Sequence, residues 1–334
     1  MKRIIVICIL TILIINTYGQ LPSYDSFIQH VNDLENSGNY EKASDYLNDY
    51  RKNYPEKYFE LSKEEIYLNE KLQRYEDNLL IFKSGHQQGY FYFLHPELPK
   101  CKPYSTLYEF ESISVTDLEL REKALSGSET KYEIMLPARY SEDRFWPVCL
   151  IFHGGGSNLE AVKKHWHSAK LDSNFIKVYI QSYRHYDYNT FGWRPGDERA
   201  DQDVTEIFRY LSEQYAVDTS LVLLAGISAG GTYATDLALR KIIPVRGTLT
   251  FCPGIPSSIE EEAKHTSGYL SFSAFIVGGE NDYYLPSQKK MVELFSNIGV
   301  QFVFEVVAGM GHEYPDDEGH WIDEGIKFLL NNKF

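Results

Sequence analysis

Residues 221–232 read Leu221-Val222-Leu223-Leu224-Ala225-Gly226-Ile227-Ser228-Ala229-Gly230-Gly231-Thr232. Five apolar residues closed by a glycine have the length of a strand buried on both faces. The amphipathic spacing over 232–241 predicts a helix directly after it. Glycine and serine occur in many strand-to-helix connections, and G-x-S-x-G arises by composition in about one chain in ten of this length. Its meaning therefore depends on context. In so tight a turn, side chains larger than glycine at 226 and 230 would collide with neighbouring backbone. The serine between them is forced into a strained conformation that exposes its Oγ at a helix N-terminus.

Outward from this turn, apolar runs recur at 131–136, 148–152, 176–181, 221–225, 248–251, 272–277 and 301–307. Amphipathic stretches at 204–215, 232–241 and 288–297 separate several of them. Short buried strands alternating with helices predict an α/β domain with a mostly parallel sheet and helices on both faces. Ligands bind such sheets beyond the carboxyl ends of the strands, where Ser228 is expected.

A serine hydroxyl is a poor nucleophile without a base, and the base needs an orienting acid. The run at 272–277 leads into Gly278-Gly279-Glu280-Asn281-Asp282, and the run at 301–307 into Ala308-Gly309-Met310-Gly311-His312. Asp282 is the candidate acid with Glu280 as its rival, and His312 the candidate base with His320 as its rival. The run at 148–152 leads into His153-Gly154-Gly155-Gly156-Ser157-Asn158. Acyl transfer passes through a tetrahedral oxyanion, and each backbone N–H aimed at it contributes about 3–4 kcal/mol. Glycines let the backbone approach that closely.

With these parts in hand, residues from about 105 to 334 resemble an α/β-hydrolase of the serine-esterase type. "YEIMLPARYSEDRFWPVCLIFHGGGSN" is similar to the entry region of polyhydroxybutyrate-depolymerase and feruloyl-esterase-like members, and "VDTSLVLLAGISAGGTYATDLAL" to their elbow. The resemblance implies attack by Ser228, proton transfer by His312 and orientation of that ring by Asp282. It implies oxyanion donors at Ala229 with Gly155 or Gly156, and no metal or organic cofactor. Ile227 departs from the polar or aromatic residue that many members carry before the serine. The expected activity is hydrolysis of carboxylic esters, with saccharide-linked acyl esters as the favoured substrates. A serine peptidase of the same fold is the enzymatic alternative, and an inert adaptor built on the N-terminal helices the non-enzymatic one.

Specificity is less legible. The loop 182–197 should project over the active face and carries Tyr183, Tyr186, Tyr188, Phe191 and Trp193. Tyr188 and Trp193 are the candidate substrate-binding residues, since such rings can stack on an aryl or sugar group. A loop that packs on its own domain is the alternative. His165 and His167, two apart and without a third partner, are weak evidence for a metal.

The chain has 334 residues, a formal net charge of −14 and 26 tyrosines. That charge repels phosphate backbones and argues against nucleic-acid binding. Lys2 and Arg3, the apolar run 4–15 and the small residues before Gln20 read as a signal peptide over 1–19. The run is too short for a membrane span of about 20 residues, so an exported product without a stable membrane anchor is expected. Cys8 leaves with the signal; Cys101, Cys149 and Cys252 show neither a disulfide framework nor zinc spacing. Residues 20–95 read as a small all-α region and 96–334 as the catalytic domain. Within the helical region "NYEKASDYL" at 39–47 is echoed by "RYEDNLLIF" at 74–82. One shift carries Tyr40 onto Tyr75 and Leu47 onto Phe82, close to the ~34-residue period of tetratricopeptide repeats, which the region resembles. Asn78 stands where that pattern has a small residue. The helical region is the expected site for any protein partner.

Overall fold

The computed structural model describes residues 21–260 and 272–331; the expected signal segment, 1–19, lies outside them. The chain divides into two compact units, with the break between Gly85 and His86.

The first unit is built from α1 (Tyr24–Asn36), α2 (Tyr40–Tyr50), α3 (Tyr58–Lys71) and all but the last two residues of α4 (Tyr75–Gln87). Ser23 caps α1 with its hydroxyl, and Gly38 makes the turn into α2 at φ 74°. Phe27, Val31, Ala43, Leu47, Leu61 and Leu68 form the core, with Tyr54 stacked on Phe27 at 5.0 Å. The echo in sequence becomes geometry: Tyr40 and Tyr75 each open a helix, and Leu47 and Phe82 are both buried. Asn78 is buried rather than small. Its Oδ1 accepts from the Asn69 Nδ2–H at 2.9 Å and its own amide donates to Ile66 O, so α3 and α4 are joined by amide bonds there.

Among the described residues the second unit holds seven strands: β1 (Lys131–Met135), β2 (Trp146–Phe152), β3 (Ile176–Gln181), β4 (Val217–Ile227), β5 (Gly247–Phe251), β6 (Ser273–Gly279) and β7 (Gln301–Val307). Their order is β1-β3-β2-β4-β5-β6-β7, with β1 antiparallel to β3 and every other pair parallel. Phe152 pairs with Gly226, Ile227 with Phe251, and Gly279 with Val307. That register brings the carboxyl ends of β2, β4, β6 and β7 to one edge of the sheet. Its helices include α5 (Phe110–Gly127), α6 (Leu159–Val162), α7 (Ala169–Asn174), α8 (Glu198–Gln214), α9 (Ala229–Leu239), α10 (Leu285–Ile298) and α11 (Glu318–Asn331). The two-residue alternation of a strand sends Leu150 and Phe152 into one core with Val204, Leu211, Tyr233 and Phe295. It sends Cys149 and Ile151 into the opposite core with Trp166, Leu171, Ile322 and Ile326. Both faces are covered, which is why the strands read as continuous apolar runs.

Two differences from the sequence reading concern this unit. β4 reaches back to Val217, because Trp146 pairs there before a register shift restores the main ladder at Val148. The helix α5 carries no clear apolar stripe, since Ser114 and Asp117 are among its buried residues. Asp117 binds the segment before it: Oδ1 accepts from the Tyr92 N–H at 2.6 Å and from His86 Nε2 at 3.0 Å, and Oδ2 accepts from the Leu94 N–H at 2.8 Å. Those bonds make residues 86–94 part of the sheet-containing unit, although the sequence reading grouped them with the helices.

Candidate active site

Ser228 lies between β4 and α9 with φ 53° and ψ −122°, a strained conformation for a residue with a Cβ. A Cβ on Gly226 would lie 2.7 Å from the Gly230 carbonyl carbon and 2.8 Å from Phe152 O, and one on Gly230 would collide with the Phe152 and His153 carbonyls. The strand and helix therefore meet closely enough to hold Ser228 in place, with Oγ at the surface of the turn.

The Ser228 hydroxyl donates to His312 Nε2 at 2.8 Å, and His312 Nδ1–H donates to Asp282 Oδ1 at 2.9 Å. Asp282 is buried, which by itself would raise its pKa. Hydrogen bonds from the Tyr284 N–H, His312, Gln288 and Cys252 outweigh that burial and hold the carboxyl below its ordinary range. An ionised Asp282 accepts only, so Nδ1 of a neutral His312 carries the proton and Nε2 is free to accept. Gln288, buried on α10, donates to Asp282 Oδ2 at 2.8 Å and fixes the carboxylate plane. The rival acid, Glu280, instead accepts from the Gly309 N–H at 2.8 Å. The rival base, His320, is exposed on α11, where its ring meets Trp321.

The His-Gly-Gly-Gly loop after β2 is anchored by His153. This ring is fully buried, donates from Nδ1 to Gly154 O at 2.6 Å and accepts the Ser182 N–H at Nε2. Burial pushes its pKa down to about 4, so it is a neutral support for the loop. Gly155 faces Ala229: a Cβ added to it would lie 3.4 Å from the Ala229 Cβ. Among the described residues neither the Gly155 nor the Ala229 N–H makes a backbone hydrogen bond. Gly156 differs, because its N–H donates to Phe191 O at 2.9 Å and its φ of +73° serves the turn. The expected donor set of Gly155, Gly156 and Ala229 thus reduces to Gly155 and Ala229.

The two expected substrate-binding residues lie elsewhere. Trp193 is only 6% exposed and stacks on Tyr233 at 4.7 Å, so packing and not ligand contact explains it. Tyr188 is exposed, but it lines a groove with Phe91, His185 and Phe191 that includes none of Ser228, Asp282 and His312. The rings near the relay are Tyr283 and Tyr284, 4.4 and 5.3 Å from the His312 ring, and Tyr186, whose edge meets Gly155. Only the structure links Tyr186 to two glycines. A Cβ on Gly155 or on Gly192 would come within 3.0 or 2.7 Å of the Tyr186 ring, so both positions leave room for it.

His165 and His167 do not converge, since His165 bonds to Glu318 at 2.6 Å and His167 to Lys163 O at 3.0 Å. Among the described residues, one group has metal-ligand composition: Cys252, Asp282 and His312, with ligand atoms within 4.8 Å of one another. Burial, with Asp282 nearby, pushes the Cys252 thiol up to about 12, which makes it a poor ligand. The hydrogen bonds of the group run from Ser228 through His312 to Asp282.

No protein-family model matches the chain, and no curated protein matches it. Among solved structures it is similar to an uncharacterized protein from Bacillus cereus, at 19% identity over 93% of this chain and 100% of that one, TM-score 0.50. It is similar to an S-formylglutathione hydrolase from Agrobacterium tumefaciens at 14% identity over 63% of this chain and 91% of that one, TM-score 0.50. A Bacillus cereus carboxylesterase matches at 17% identity over 63% of this chain and 98% of that one, TM-score 0.45. The fold of the second unit is that of the α/β-hydrolases.

Proposed function

We propose that the second unit hydrolyses carboxylic esters through an acyl-enzyme on Ser228. The observation that carries this reading is the unbroken relay from Ser228 through His312 to Asp282, at 2.8 and 2.9 Å. Ser228 Oγ attacks the ester carbonyl as its proton passes to His312 Nε2, and the carbonyl electron pair collects on the oxygen. That oxyanion accepts from the Gly155 and Ala229 N–H groups. As the tetrahedral centre collapses, the alcohol leaves with the proton from Nε2. Water then gives a proton to Nε2 and attacks the acyl carbon, and Ser228 departs with that proton, releasing the carboxylic acid. Asp282 stabilises the imidazolium formed in each half and stays ionised itself.

Saccharide-linked acyl esters encountered after export are the setting we propose. The aromatic rim of Tyr186, Tyr283 and Tyr284 supports the first part, and the basic–apolar–small pattern of residues 1–19 supports the second. An active-site fluorophosphonate should label the protein and fail to label Ser228→Ala, which should also lose ester hydrolysis with an unchanged melting temperature. Undiminished turnover in that variant would overturn the reading. A matched ester and anilide pair separates esterase from peptidase: faster anilide cleavage would turn the assignment to the latter. The exported protein should begin at Gln20.

A further inference from the structure

Phe93 sits in a left-handed backbone conformation, φ 60°, which is costly for a large side chain. It is held there by the buried Asp117 carboxylate, which binds the N–H groups on either side of it, of Tyr92 and Leu94. The Phe93 ring consequently meets the Tyr186 ring at 5.0 Å, and Tyr186 in turn lies against Gly155 of the oxyanion loop. Two cations stand over the same Phe93 ring: the Arg121 guanidinium at 4.7 Å and Lys100 Nζ at 5.3 Å.

Among the described residues, Arg121 is the cation here that makes neither a hydrogen bond nor an ion pair. Lys100 donates to Tyr92 O at 3.2 Å, and Arg184 lies 3.7 Å from Asp197. Two carboxylates on Arg121's own helix act on it, Asp117 and Glu122; neither forms an ion pair with it, and the two oxygens of Asp117 are occupied by Tyr92, Leu94 and His86. Among the described residues Arg121, half-buried on α5, has no hydrogen bond or ion pair at all. Burial holds its pKa below the ordinary value, and Arg184 nearby adds to that, against the pull of Asp117 and Glu122. A half-buried guanidinium has lost part of its hydration and gains most from a planar, bidentate acceptor. The Tyr186 hydroxyl likewise has no partner among the described residues, although the residue is half-buried.

We infer that Arg121, Phe93 and Tyr186 form a substrate subsite for a carboxylate-bearing ester, with the carboxylate on Arg121 and its stem running along the two rings toward Ser228. This rests on the esterase reading and names its substrate class. The net charge of −14 makes the long-range field of the chain unfavourable to an anion, so a carboxylate preference must come from a local cation. The strained Phe93 backbone, the carboxylate that holds it and the unpartnered guanidinium are all accounted for by one ligand.

The test compares each carboxylate substrate with its own methyl ester. One pair places the carboxylate on the acyl side, in 4-nitrophenyl monoesters of dicarboxylic acids of increasing length; the other places it on the leaving group, in 4-acetoxybenzoate. At least one carboxylate should be favoured by about tenfold or more in kcat/KM, chiefly through KM, with the preference shrinking as salt is raised. Arg121→Gln should abolish that ratio and Arg121→Lys restore part of it, both variants melting like the parent. Absence of a preference in every pair, or its survival in Arg121→Gln, would overturn the subsite. Should the parent cleave none of these esters, charged or neutral, the esterase reading falls instead. The subsite is then judged by binding: benzoate should raise the melting temperature of the parent and not of Arg121→Gln, and equal behaviour of the two would refute it.

Discussion

Each unit of this protein holds a carboxyl whose surroundings shift its pKa, and the two shift in opposite directions. In the helical unit, burial and the neighbouring Glu64 carboxyl push Glu35 up to about 8, with only Lys71 pulling the other way. In the sheet unit, Asp282 is more deeply enclosed, yet four donors hold it below its ordinary range. Burial raises a carboxyl pKa in both places, and the donors around it decide the outcome. The donors at Asp282 come from strand ends and a helix start, where backbone N–H groups and polar side chains converge. The helical hairpins direct their backbone groups into their own ladders, which leaves little to assemble a proton relay.

The sharpest way to break this contrast is to change the acid. Asp282→Asn should lower ester turnover by about 10⁴, because the amide favours the wrong tautomer of His312 without altering shape. Glu280→Gln should leave turnover within a few-fold, since that carboxylate caps Gly309 instead. The reverse ranking in steady-state kinetics would move the acid to Glu280.

A second comparison sets two glycines against each other. Gly230→Ala forces a methyl into the Phe152 and His153 carbonyls and should destabilise by about 3 kcal/mol or fail to fold. Gly38→Ala in the helical unit has open space around it but a φ of +74°, and should lose only about 1 kcal/mol. Denaturant melts of the soluble variants measure both.

The remaining two predictions are pH slopes. His153 has an ordinary value of 6.5 and is pushed by burial down to about 4, so the unfolded chain takes up its proton first. Stability from this group is full above pH 6.5 and is lost as pH falls toward 4; His153→Asn should remove that part of the acid slope. Glu35 goes the other way, from an ordinary 4.5 to about 8. Its contribution is full below pH 4.5 and declines as pH rises toward 8, and Glu35→Gln should flatten that decline. Fluorophosphonate labelling of Ser228 should be the same in Glu35→Gln as in the parent.

The strand runs, the Gly-x-Ser-x-Gly turn, the order of Ser228, Asp282 and His312 and the helical echo were legible because each is local. A buried strand needs consecutive apolar residues, and a tight elbow needs glycine, whatever surrounds them. The α/β architecture with a mostly parallel sheet follows from those periods. What could not be read locally was set by partners distant in the chain. Gly156 leaves the donor set because Phe191 takes its N–H, and Trp193 turns inward because Tyr233 offers it a stacking face. Asp117 hides the helix α5 from periodicity because its carboxylate is needed to hold residues 92–94, and in doing so leaves Arg121 without an ion pair, over the Phe93 ring. Apolar spacing is written into neighbouring residues, whereas the satisfaction of a buried polar group depends on which segments folding brings to it.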